Sequence, residues 1–208
     1  EEGLLDNTII VFLADHGDML GNHNLWAKRM FYEDSAAVPM ILVGAKGDSR
    51  VPVGAKDNRL VGLQDVMPTI LDLCGLEIPE SVDGLSMVGD EKRSHMYGEY
   101  GEGFEATRMM HDGRFKLVYY AAGNRLQLFD VENDPQEMTD LISQPDVSEI
   151  QQRLTDSLVA ELYGSDADLI RDGKLVGLSE PPSQKPERGL SLQRGSHWPV
   201  PPQGTDPS

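Results

Sequence analysis

Between residues 94 and 130 short apolar runs alternate with turn residues, a rhythm that a long helix cannot carry. "SHMYGEY" (94–100), "ATRMMH" (106–111), "RFKLVYY" (114–120) and "RLQLFD" (125–130) are separated by such breaks, Gly123-Asn124 among them. Period-two runs at this spacing predict a small antiparallel sheet. The next segment changes period. In "DVSEIQQRLTDSLVAELYG" the residues Val147, Ile150, Leu154, Leu158 and Leu162 form one helical stripe, with Asp146 and Glu149 as a capping pair and Gly164 as a stop. Such a helix is expected to pack on the sheet.

The first ninety residues read differently. "NTIIVFLAD", Asn7 to Asp15, is continuously apolar from Ile9 to Ala14, the pattern of a strand covered on both faces in a parallel sheet. Asp15 then stands at the strand's C-terminal end, where open α/β sheets place their ligands. "AVPMILVG" (37–44) reads as a second buried strand. Leu63, Val66, Met67, Ile70, Leu71 and Cys74 fall at helical spacing, with Gly75 as the stop. Pro68 fits that helix only if it begins just before it. The expected organisation is an α/β segment over 1–90, a small antiparallel-sheet subdomain with one packed helix over 91–165, and a Pro-rich tail over 166–208. Seven of the thirteen prolines lie in the last thirty residues, so from Ser179 onward the chain should be extended or disordered.

A formal charge of −17 over 208 residues argues against a general nucleic-acid or anionic-membrane binder. Small substrates answer to the local field instead, and Trp26 to Met30 is a basic island. One cysteine, Cys74, excludes an internal disulfide and a zinc framework. No apolar run approaches the roughly 20 residues that span a bilayer. The chain opens on Glu1-Glu2 with no methionine and reads as beginning in mid-protein, so absent targeting signals carry no weight.

The chemistry concentrates in "VFLADHGDMLGNHNLWAKRMF", Val11 to Phe31. Asp15 and His16 offer a hard oxygen and an imidazole nitrogen at a strand end, and Gly17 lets the backbone turn away. A divalent cation with sulfate or phosphate oxygens would suit that pair. A turn cap at Asp15 and an ordinary hydrogen bond at His16 are the alternative. His23, in a polar loop, could give a proton to a leaving oxygen or be a plain exposed imidazole. Lys28 could neutralise a tetrahedral oxyanion or be a surface lysine. Trp26 and Phe31 fit either a pocket wall or the core.

"ADHGDMLGNHNLWAK" resembles the second metal-binding motif of the sulfatases, in the alkaline phosphatase superfamily. The similarity continues through "VPMILVG", "LVGLQDVMPTILDLCGLEIPESVDGLSM" and "RFKLVYY…LQLFDVENDPQEMTDL", which looks like the family's C-terminal sheet and its Asp-Pro-x-Glu turn. It covers about residues 3 to 163. The fold it implies is the C-terminal part of an alkaline-phosphatase-like mixed α/β sheet flanked by helices, followed by the small antiparallel sheet. By resemblance Asp15 and His16 are two ligands of one divalent metal, calcium in sulfatases, or manganese, zinc or magnesium in related phospho- and phosphonate ester hydrolases. Lys28 would hold the sulfate oxygens, and His23 would hydrogen-bond the ester oxygen and assist its departure. Asn22 receives no role.

The family also needs two Asp ligands on its first strand and a Cys-x-Pro-x-Arg or Ser-x-Pro-x-Arg segment that yields the formylglycine nucleophile. Neither occurs in this chain. Cys74 precedes Gly75-Leu76-Glu77-Ile78 on a helix face and is expected to be a packing residue. The expectation is therefore the C-terminal fragment of a sulfatase, acting on a sulfated small molecule or carbohydrate, inactive alone and dependent on the N-terminal part of the same enzyme. With two protein donors it should bind calcium weakly. A phosphonate or phosphate ester hydrolase and a non-catalytic interaction half-domain are the alternatives. Homo-oligomerisation is left open.

Overall fold

The computed structural model describes residues 3–179, so the Pro-rich segment beyond them lies outside the described residues. Two compact units emerge, one from residues 3–15 and 38–94, the other from 16–37 and 95–179. Residues 16–37, expected with the first ninety, group with the sheet that follows.

In the first unit β1 (Ile10–Leu13) pairs with β2 (Met40–Val43), Ile10 opposite Val43 and Phe12 opposite Ile41. The pairing is antiparallel, and these four side chains share one face and are exposed, Phe12 by 58% and Ile41 by 53%. This corrects the expectation of a strand covered on both faces in a parallel sheet. An apolar run reports what a strand can bury; it does not report the direction of its neighbour.

After the four-residue α1 (Glu33–Ala36) of the second unit, the next helix is α2 (Val66–Leu73) in the first. Pro68 sits in its first turn, as required. Its start is fixed by buried Asp65, which accepts the N–H groups of Gly62 and Leu85, each at 2.8 Å, and pairs with Arg93. Burial pushes this carboxyl up, but Arg93 and the two N–H groups together hold it below the usual range. The end is a Schellman motif: Gly75 at φ 69° donates to Asp72 O and Leu76 donates to Leu71 O, both at 2.9 Å. The buried side is Pro68, Thr69 and Leu73, while Leu63, Met67 and Ile70 are exposed. Cys74 is exposed as well, not a packing residue. Thr69 turns inward because its hydroxyl donates to Asp65 O at 2.5 Å and accepts from Met87 N–H at 2.8 Å.

The second unit holds the expected meander. β3 (Met96–Tyr100), β4 (Thr107–His111), β5 (Phe115–Tyr120) and β6 (Arg125–Asp130) are antiparallel in sequence order. Helix α3 (Ser148–Glu161) lays Leu154 and Leu158 on Met110, Leu117, Tyr119 and Leu128. It is entered through a 3-10 turn at Pro145–Val147, without a side-chain cap, so the predicted Asp146–Glu149 capping pair does not form. Ordered structure continues past residue 165. A 3-10 turn (Gly164–Leu169) leads to the hairpin β7 (Ile170–Arg171) and β8 (Lys174–Leu175), and Leu178 donates to Ala121 O at 2.7 Å. Buried Asp166 clamps buried Arg108 through Nε at 2.6 Å and Nη2 at 2.9 Å.

A second small core, Met19, Leu25, Met30, Tyr32 and Phe129, seats residues 16–37 on β6. The sequence motif is thereby carried by the meander.

Candidate active site

Asp15 follows the end of β1 and is exposed; His16 follows it and is half-buried. Gly17 donates to Ser35 O at 2.9 Å, and a Cβ there would lie 2.0 Å from Asp34 O. Only glycine fits this approach.

Residues 18–30 form a tight loop. Asp18 Oδ1 accepts the N–H groups of Leu20 at 3.0 Å and Ala27 at 3.2 Å, and Met19 N–H donates to Ala27 O at 2.7 Å. Leu20, His23, Asn24, Ala27 and Arg29 all have positive φ. A left-handed non-glycine residue costs roughly 1–2 kcal/mol, so the loop persists only because its surroundings over-determine it.

Lys28, exposed and set between two of these residues, donates from Nζ to His16 Nε2. His16 Nδ1 lies 2.7 Å from Gly17 O. Both contacts are met by the tautomer with hydrogen on Nδ1 and a lone pair on Nε2. The structure thus brings two of the expected site residues together across twelve positions.

His23 makes other contacts. Its Nε2 donates to Gln136 O at 2.9 Å, and its ring stacks on Tyr32 at 4.1 Å and 9°. Asn22, given no role from sequence, donates to Asp34 Oδ2 at 2.5 Å. Trp26 is 56% exposed and so not a core residue, while Phe31 packs beside Gly98 of β3.

Sequence reasoning missed the groups that hold this loop. Lys116 of β5, buried, donates to Phe31 O at 2.8 Å, to Glu137 Oε1 at 2.9 Å and to Glu33 Oε1. Glu137 Oε2 accepts Glu33 N–H at 2.6 Å. Burial raises the Glu137 carboxyl, and the Lys116 ammonium only partly offsets it. The signal available was the Asp-Pro-x-Glu turn, whose last residue is Glu137.

Among the described residues no three His, Cys, Asp or Glu side chains converge as a metal-binding group. Asp15 and His16 are suitable donor types, His16 once Nε2 gives up the Lys28 hydrogen bond, but two fall short of the six to eight oxygens that calcium takes. The donor set fits part of a metal shell.

The meander with its one packed helix thus carries a loop in which Lys28 meets His16. Residues 21–163, more than half the chain, match the sequence model of the family described as N-sulphoglucosamine sulphohydrolase, C-terminal. The chain belongs to this sulfatase family and corresponds to its C-terminal part. It is 34% identical over 182 residues to an arylsulfatase of Clostridium perfringens, covering 85% of this chain and 38% of that protein. The solved structure of BT4656 with its substrate D-glucosamine-2-N,6-O-disulfate is 26% identical with a TM-score of 0.60, over 75% of this chain and 34% of that one. The phosphonate monoester hydrolase SpPMH of Silicibacter pomeroyi is 29% identical with a TM-score of 0.63, over 74% and 34%. This chain therefore spans little more than a third of the length of these relatives.

Proposed function

We propose that this chain supplies one side of a sulfatase active site, in an enzyme that hydrolyses the sulfate ester of a small molecule or carbohydrate. The observation that carries this reading is the Lys28–His16 contact, which sets an ammonium beside the Nε2 lone pair within the family's motif. Lys28 holds the sulfate oxygens and offsets the charge that develops on them. The Gly17 carbonyl orients the His16 ring, so that its Nε2 lone pair meets the Lys28 ammonium. A divalent cation, calcium in the sulfatase reading, would be held in part by Asp15 and by His16, whose Nε2 would exchange the Lys28 hydrogen bond for the metal, and it would polarise the sulfate as a Lewis acid. The nucleophile and the remaining donors come from the N-terminal part of the same enzyme. That part also covers the exposed apolar face of β1 and β2.

The family supplies the sulfated substrate class, and BT4656 was solved with a sulfated sugar. A phosphonate or phosphate ester hydrolase is the second reading, favoured by the likeness to SpPMH.

The test is turnover of an aryl sulfate against an aryl phosphonate by the full-length enzyme. Preference for the sulfate is expected, with a loss of about 100-fold or more in kcat/KM for Lys28→Ala. Preference for the phosphonate would replace the first reading by the second. Calcium titration of the 208-residue chain should show weak binding; tight binding abolished by Asp15→Ala would overturn the partial-shell reading.

A further inference from the structure

The Lys28 loop is held at two points, and both belong to one distant turn. Before Lys28, His23 donates its Nε2 proton to Gln136 O at 2.9 Å. After it, Glu33 N–H donates to Glu137 Oε2 at 2.6 Å. The two points lie five residues to either side of Lys28 (28 − 23 and 33 − 28). The turn is closed by its own hydrogen bonds: Asp134 N–H donates to Asp130 O at 2.7 Å, Glu137 N–H donates to Asp134 O at 2.9 Å, and Asp134 Oδ2 accepts Thr139 N–H at 2.8 Å. Buried Glu137 adopts φ 54° and is locked by Lys116. The His23 ring rests on Tyr32, which is buried, tilted against Phe129 at 5.8 Å and bonded through its hydroxyl to Gln127 at 3.2 Å.

From this geometry we propose that His23 is a positioning residue and that the Asp134–Glu137 turn is a clamp which, through His23 and Glu33, holds Lys28 in place. The proposal rests on the reading that Lys28 binds the sulfate, and it gives His23 a different task from the leaving-group acid implied by family resemblance. A neutral imidazole has one N–H. Here the Nε2 hydrogen is directed to a backbone carbonyl, so the Nε2 proton that a leaving ester oxygen would need is already engaged. Five left-handed non-glycine residues between Leu20 and Arg29 explain why a clamp is needed. Without it the loop relaxes toward ordinary φ values, and Lys28 moves away from His16.

Three variants of the intact protein separate the two roles. His23→Phe keeps a stacking ring and loses the hydrogen bond; His23→Gln keeps an N–H donor and loses the ring; Glu137→Gln weakens the second grip. Hydrogen exchange is read at the amides of residues 18–30, with β4 and β5 as the internal reference. The expected result is at least about tenfold faster exchange in the loop for His23→Phe and Glu137→Gln, a smaller change for His23→Gln, and β4 and β5 unchanged in the two His23 variants. Unchanged loop exchange in His23→Phe overturns the clamp, whether or not Glu137→Gln folds.

The second readout is kcat/KM for aryl sulfates whose phenols differ in acidity. A lost proton donor harms substrates with poor leaving groups most and steepens the dependence on phenol pKa. A lost clamp lowers every substrate by a similar factor, expected at about 10- to 100-fold. A loss confined to poor leaving groups would restore His23 as the acid. Should the enzyme cleave no aryl sulfate, the sulfatase reading fails, while the exchange measurement still decides the clamp.

Discussion

Lys116 is a buried ammonium facing two carboxylates and a backbone carbonyl, so the cluster holds one more negative than positive charge. Removing one partner from such a group leaves charge without compensation, which costs about 3–5 kcal/mol. Lys116→Met should therefore lower the urea midpoint strongly at pH 7. The pH dependence has a definite sign. Burial already raises the Glu137 carboxyl above its ordinary 4.5. Its contribution to stability is thus full below that value and is lost as pH rises through the folded-state value. Without Lys116 the carboxyl rises further, so the deficit of the variant should shrink between pH 7 and pH 5. An equal deficit at both pH values would remove Glu137 from the account. At this scale the sequence displayed the reactive residue types, since Asp15, His16, His23 and Lys28 sit within fourteen positions of one another. It did not display their partners: Gln136 lies 113 positions from His23, and Glu137 lies 104 from Glu33. Nothing local in a chain encodes a contact of that separation.

Among the elements, the meander was legible because strand period and turn chemistry are local properties, and the four observed strands fall inside the four runs. The limits of α2 were legible for the same reason, through Pro68 in the first turn and Gly75 at the Schellman position. The inward side of α2 was not, because Thr69 is buried through two hydrogen bonds that a hydropathy pattern cannot report. The short pieces between Gly164 and Leu178 were also hidden, since two-residue strands have no period. The β5–β6 hairpin carries its own pH test. Asp130 accepts from Arg114 Nη2 at 2.7 Å and from Asn133 Nδ2 at 2.9 Å. The Arg114 guanidinium, with help from Asn133, draws its carboxyl from 3.8 down to about 2. A lowered carboxyl stabilises above its unfolded value and loses that contribution as pH falls. The thermal midpoint should therefore drop between about pH 4 and pH 2, with a shallower drop for Arg114→Gln. Arg114 is solvent-facing, so added salt should reduce the difference.

At the scale of the whole molecule, the exposed apolar face of β1 and β2 is the feature that a finished surface would not carry. Ile10, Phe12, Ile41 and Val43 lie together on it, and Met67 and Ile70 are exposed on α2. The isolated chain should self-associate through the strand face, and the double variant Phe12→Lys, Ile41→Lys should shift sedimentation toward the monomer. An equal distribution for both proteins would show that the face is not what associates. Among the described residues no helix is long and apolar enough to cross a membrane. By itself the sequence determined what depends on near neighbours: the meander, the packed helix, the caps of α2 and the motif that marks the family. Only the tertiary structure decided that β1 pairs antiparallel with β2, that residues 16–37 ride on the meander, and that Lys28 meets His16 while His23 meets Gln136. The reason is physical. Periodicity and turn residues act through the next few peptide units, whereas pairing direction and long-range hydrogen bonds exist only once distant segments have been brought together.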